Sequence, residues 1–135
     1  MHAPPSRDLV VPLLRLEGLA AFVASILMWA AADGAFLAFV PLLLVPDISA
    51  VGYLRSPSLG AVTYNLVHNW AIGLAVLGLG WWFAATPVLM AGIILIGHVG
   101  MDRTFGYGLK HPTGFGDTHL GRIGRREPAP ATNGR

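Results

Sequence analysis

The sequence contains no cysteine. That excludes disulfide staples, thiolate metal sites, iron–sulfur clusters and a cysteine nucleophile, and it leaves any metal to histidine, aspartate, glutamate or asparagine. Charge is scarce as well: charged residues make up 12% of the 135 residues against 54% hydrophobic ones, and the mean hydropathy is +0.60. A soluble domain of this size needs more polar surface, so a bilayer is the expected solvent. Also missing are a basic stripe and aromatic residues interleaved with it. The net charge of +2 and pI near 9.5 therefore do not point to nucleic acid, and no nucleic-acid partner is expected.

What is there is a set of long apolar runs. Four of them, read as two transmembrane hairpins, predict an all-α integral membrane four-helix bundle over residues 9–104 with both termini cytoplasmic. The first helix runs from about Leu9 to Ala32, about 36 Å at 1.5 Å per residue, and stops at the turn pair Asp33-Gly34. A cleaved signal peptide is the poorer reading, because this run is longer than a signal core and holds Arg15 and Glu17. The second run, Ala35 to Val45, covers only about 17 Å, so it is either deeply set or extended by the residues after Pro46. Ser56-Pro57-Ser58 signals the third helix, expected over Ser58 to Ala85 with Trp81-Trp82-Phe83 as an interfacial anchor. The fourth returns from Thr86, as N-cap before Pro87, to about Thr104. Residues 1–8 read as a disordered lead, 105–124 as a Gly-rich cytoplasmic segment able to cap the bundle, and 125–135 as a disordered tail.

This folding path gathers Arg7, Arg15, Arg55, Arg103, Lys110, Arg122, Arg125, Arg126 and Arg135 on one side, while the turns at Asp33-Gly34 and Thr86-Pro87 have no basic residue. By the positive-inside rule that side is cytoplasmic, in a multi-pass protein expected in a bacterial inner membrane with lipid around it.

The same side collects most residues able to do chemistry. His98 and Asp102, four apart on one helix, project from one face and can grip a cation or simply pair with each other. Asn65 and His68, three apart, share another face and serve either a site or interhelical hydrogen bonding. Asp47, at the inner end of the second helix, sits badly with a helix dipole and calls for a positive partner such as Arg55, Arg103 or a metal; a turn aspartate is the plainer alternative. Glu17 is expected to be buried and paired with Arg55 or Arg103. Together the helices deliver Asp47, His68, His98 and Asp102 to one depth as a candidate divalent-metal set, with zinc the expected ion and Glu17 or Asp47 as general base. Asn65, Arg55, Arg103, Lys110, His111, Asp117 and His119 are the candidate substrate-binding residues, the last four from a passage whose glycines permit close approach to a phosphate. A metal-dependent hydrolase of a lipid-like or phosphorylated substrate is one functional expectation. The other is a non-enzymatic module, moving protons or metal ions or serving assembly, which would need a homo-oligomer. Haem between His68 and His98 fits less well, because the nearby carboxylates suit a hard cation.

Leu14-Arg15-Leu16-Glu17-Gly18, Pro46-Asp47, Gly52-Tyr53, Tyr64 to His68, His98 to Arg103, Gly106 to Lys110 and Asp117 to Gly121 together resemble the domain-of-unknown-function family 4260, small bacterial integral membrane proteins. The resemblance spans about Leu14 to Gly124 and implies a fold rather than an activity. More loosely, Pro46-Asp47 at a helix end with His and Asp on later helices is similar to the membrane-bound metal-dependent hydrolase family. That family's paired histidines flanking a basic residue are replaced here by Asn65-Leu66-Val67-His68.

Overall fold

The computed structural model describes residues 9–124. The expected lead and tail lie outside the described residues, as do Arg7, Arg125, Arg126 and Arg135. Five α-helices follow in order: α1 (Val10–Ala31), α2 (Phe36–Leu43), α3 (Pro57–Val67), α4 (Trp70–Trp82) and α5 (Thr86–Phe105), with a 3-10 helix (Val45–Leu54) between α2 and α3. A two-stranded antiparallel hairpin, β1 (Asp117–Thr118) and β2 (Gly121–Arg122), closes the described chain. Among the described residues, four stretches are long and apolar enough to cross a membrane: α1, Phe36–Leu54, Pro57–Trp82 and α5.

The second stretch resolves the length problem posed by its sequence. Pro41 lies inside α2 and Pro46 opens the 3-10 helix, so two amide donors are missing from an α-helical ladder, and the winding tightens to i→i+3 bonds such as Asp47 N–H to Leu44 O at 3.2 Å. A 3-10 helix rises about 2 Å per residue against 1.5 Å for an α-helix, so the nineteen residues reach about 33 Å, enough for a hydrocarbon core of about 30 Å. Asp47 thereby falls in the first turn of a helix, where the dipole favours a carboxylate, rather than at an unfavourable C-terminal end.

The third stretch, expected as one helix, is broken at His68-Asn69. Asn69 does both jobs at the break: its Nδ2 donates to the carbonyls of Asn65 and Leu66 at 2.8 and 2.9 Å, ending α3, and its Oδ1 accepts from Ile72 N–H at 3.0 Å, starting α4. At the start of α3, Ser56 accepts from Leu59 N–H with Pro57 in the first turn, as its sequence signals. Ala85 rather than Thr86 precedes α5, and Thr86 is already helical.

α5 is the central element: half of its most apolar window is buried, against 11% for α1. It packs on α1 through paired glycines, where a Cβ on Gly18 would meet Gly100 O at 2.8 Å and a Cβ on Gly100 would meet Gly18 O at 2.7 Å. Such small-residue seams let helix backbones meet where lipid offers no hydrophobic drive. Trp29, Phe39, Leu43, Ile93 and Ile94 form the core, while Leu37, Trp81, Trp82 and Phe83 point outward. An apolar exterior around a modest core is what a bilayer solvent permits. Gly106, at φ 89°, takes the left-handed position that ends α5 and turns the chain back across the bundle end.

A candidate metal centre at the end of the bundle

Two histidines form the heart of the site. His68 caps the broken end of α3 and its Nδ1 stands 2.9 Å from Tyr64 O; His98, on α5, directs its Nδ1 to Leu43 O at the end of α2. A carbonyl oxygen can only accept, so each Nδ1 carries a proton, and in a neutral ring the lone pair is left on Nε2. These two Nε2 atoms are 2.9 Å apart, with His68 3% exposed and His98 fully buried. Two lone pairs cannot face each other at that distance without a proton or a cation between them. Metal-binding histidines usually donate their other ring N–H to a carbonyl or carboxylate in this way, which fixes the direction of the ring.

Two carboxylates face the same point. Asp47 Oδ1 lies 3.4 Å from His98 Nε2 and 3.6 Å from His68 Nε2, and Asp102 Oδ2 lies 3.6 and 3.8 Å from the same atoms. Tetrahedral ligands about 2.0–2.1 Å from a zinc ion are separated by about 3.4 Å; the imidazole–carboxylate separations lie at or a little above that value, and the 2.9 Å between the two Nε2 atoms lies below it. Asp47, His68 and His98 form a set able to hold a metal ion. Asp102, 13% exposed, accepts a 2.7 Å hydrogen bond from Tyr64 Oη, while Asp47, 53% exposed, faces outward. The Tyr64 ring also stacks on His68, 3.5 Å between centroids and 11° from parallel. Beside the carboxylates lies a cavity of about 390 Å³ lined by Asp47, Ala50, Tyr64, Asp102, Tyr107 and Phe115.

The other sequence candidates separate into two groups. Asn65, Arg103 and His119 fasten the Gly-rich segment to the bundle. Asn65 Oδ1 accepts from Lys110 N–H at 2.7 Å and its Nδ2 donates to Lys110 O at 2.8 Å. Arg103 is buried, its Nη1 2.7 Å from His119 Nε2 and its guanidinium 5.9 Å from the Trp70 ring, and Leu109 N–H donates to His119 Nδ1 at 2.9 Å. Burial and the Arg103 charge hold the His119 pKa below its ordinary value of 6.5. The segment is therefore an ordered hairpin rather than a plain loop.

The second group lies off the cavity. Glu17 is exposed, not buried, and among the described residues it forms no ion pair; α1 turns Gly18, not Glu17, onto α5. Arg55 and His111 are exposed, and Asp117 is engaged within the hairpin by Arg122 at 3.4 Å and Thr113 at 2.8 Å. Of the cationic candidates, Lys110 lies against three rings that line the cavity, without itself being part of the lining. It is 3% exposed, and its Nζ lies 3.9, 4.9 and 5.6 Å from the ring centroids of Phe115, Tyr64 and Tyr107. Burial lowers its pKa, opposed by the fields of Asp102 and Asp47.

Sequence reasoning missed Tyr64, Tyr107 and Phe115 as site residues. Tyr64 had a usable signal, since Tyr64 and His68 are four apart and share a helical face.

Fold and site together define a helical membrane-type protein carrying a His/Asp candidate metal centre. The chain belongs to the domain-of-unknown-function family DUF4260, whose model matches residues 12–123. No curated protein and no solved structure matches it.

Proposed function

We propose that the protein is a membrane-embedded, divalent-metal-dependent hydrolase acting on a lipid-like or phosphorylated substrate at the cytoplasmic face of a bacterial inner membrane. Asp47, His68 and His98 hold the ion, with Asp102 as the fourth donor. The observation that carries this reading is the pair of Nε2 lone pairs, fixed 2.9 Å apart by carbonyl bonds on the far side of each ring, with carboxylate oxygens at 3.4–3.8 Å. A divalent ion supplies Lewis acidity and lowers the pKa of a water it binds. Asp47 is the ligand most open to the cavity, whereas Glu17 is exposed and off it, so Glu17 is not placed to take a proton there. Tyr64 keeps Asp102 aligned through its 2.7 Å hydrogen bond.

Of the non-enzymatic alternatives, transport needs an oligomer with these groups at a subunit seam, and assembly leaves them to serve packing alone. Their convergence inside one chain, beside a cavity of about 390 Å³, supports the enzyme instead. The basic residues at one end of the spans, with none at the opposite turns, support the cytoplasmic orientation. The test is turnover of short-chain phosphate and carboxylate esters in mixed micelles. Hydrolysis abolished by chelation and restored by zinc is expected; no turnover above the chelated control contradicts the hydrolytic assignment.

A further inference from the structure

We propose that Lys110 makes the metal-loaded site a receptor for an anionic phosphate-type head group, which binds between the ion and the Lys110 ammonium. This inference rests on the metal reading above and names the class of ligand that the site takes.

The main chain of Lys110 is held on both sides by Asn65, so the residue is fixed in place and its side chain turns inward. Among the described residues its buried Nζ has no hydrogen-bond partner. Three aromatic rings surround it, those of Tyr64, Tyr107 and Phe115, and the same three line the cavity with Asp47 and Asp102. Ring faces attract an ammonium but accept none of its three N–H donors in conventional hydrogen bonds, so they replace only part of its hydration. The rest of its compensation comes from the two carboxylates, whose fields act on it.

That compensation changes when a metal ion binds. With neutral imidazoles, two carboxylates and one ammonium carry one net negative charge; a divalent ion turns this into one net positive charge. The carboxylates then serve the ion, and a buried, unpaired ammonium is left beside it, an arrangement that costs several kcal/mol in general. An anion in the cavity removes the imbalance. A tetrahedral oxyanion fits the demand, because different oxygens of one group can face the ion and accept from Nζ. The rings of Tyr107 and Phe115 leave an apolar wall for the organic part of a phosphate ester. Arg103 is engaged by His119, and Arg55 is exposed away from the cavity, so neither replaces Lys110.

The signature is reciprocal coupling: an anion that tightens zinc binding is itself bound more tightly by the zinc-loaded protein, by the same factor. Zinc affinity of the full chain in detergent micelles is measured by chelator competition, with and without saturating methylphosphonate or dodecylphosphonate, neither of which can be hydrolysed at phosphorus–carbon. The wild type is expected to bind zinc at least about tenfold more tightly with phosphonate, equivalent to about 1.4 kcal/mol of coupling. Lys110→Met removes the ammonium that a bound ion leaves unpaired, so it is expected to bind zinc at least as tightly as the wild type without phosphonate and to lose the coupling to below about twofold; the Asn65 clamp survives because it uses only the main chain of residue 110. Lys110→Arg, which keeps the charge, is expected to retain most of the coupling and provides the reading if the methionine variant does not fold. Stronger coupling with dodecylphosphonate identifies a lipid head group, and equal coupling identifies a free organic phosphate. Zinc binding with no phosphonate effect in the wild type, or with the full effect in Lys110→Met, overturns this proposal and leaves the metal site standing. No zinc binding at all removes the metal reading, and this proposal with it.

Discussion

Tyr64→Phe isolates one atom of the proposed centre. The substitution keeps the ring stacked on His68 at 3.5 Å and removes only the hydroxyl that donates to Asp102 Oδ2 at 2.7 Å. Hydrogen bonds to charged groups contribute about 1.5–3 kcal/mol. Losing the bond frees the Asp102 carboxylate to rotate, and loss of such a partner behind a metal ligand weakens metal binding by about 10- to 100-fold. We expect about 30-fold weaker zinc binding, or about 2 kcal/mol, read by competition with a chromophoric chelator in detergent. Tyr53→Phe is the control. Its hydroxyl is buried without a hydrogen-bond partner among the described residues, and its ring lies against Phe115 rather than the histidines, so zinc affinity should stay within twofold. Equal zinc affinity in Tyr64→Phe and Tyr53→Phe refutes the role of Asp102 as a ligand held by Tyr64.

Two further predictions concern the hairpin that covers the site. Asn65→Leu removes both hydrogen bonds to the Lys110 main chain, at 2.7 and 2.8 Å, and should destabilise docking of residues 107–119 by about 2 kcal/mol, seen as faster hydrogen exchange there with little change in α1. The hairpin should also loosen in acid. Because the folded state holds the His119 pKa below 6.5, protonation favours the undocked form; docking is at full strength above about pH 6.5 and weakens as pH falls below it. Exchange rates in 109–119 that do not rise between pH 7 and pH 5.5, after correction for intrinsic chemistry, contradict this.

The spans were legible because their signals are compositional. The Asp33-Gly34 turn and the Ser56-Pro57 start survive into the structure, and the first and fourth helices keep their bounds to within a residue, while the second span runs on to Leu54 and the third stops at Trp82. His98 and Asp102 were legible as a pair because helical spacing alone puts them on one face, and their Nε2 and Oδ2 atoms are 3.6 Å apart. The break at His68-Asn69 was not. Neither proline nor glycine marks it, and it depends on Asn69 capping in both directions, which a helix-forming context hides. That break sets the direction of the His68 ring, so the geometry of the site could not be read even where its members could.

Other misreadings share a cause. Glu17 was expected to be buried from its depth in α1, yet burial depends on rotation about the helix axis, and the glycine seam at Gly18 and Gly100 sets that rotation. Arg103, at the end of a helix, and His119, in the Gly-rich passage, read from the sequence as separate candidate binding groups. They are anchors of an ordered hairpin, joined across 16 residues by a contact that sequence spacing does not encode. Lys110 lies in the same passage and differs only in that its side chain points inward, against the rings of the cavity wall.

In the proposed centre, two imidazole Nε2 atoms and two carboxylates together hold a metal ion. Elemental analysis of the protein after zinc loading and removal of excess tests this most directly, beside a His68→Ala, His98→Ala double variant that folds to the same helical content. One zinc per wild-type chain and less than a tenth of that in the double variant is the predicted result. Equal zinc in the two preparations, or none in either, would mean that the four groups serve packing or share a proton, and would contradict the account.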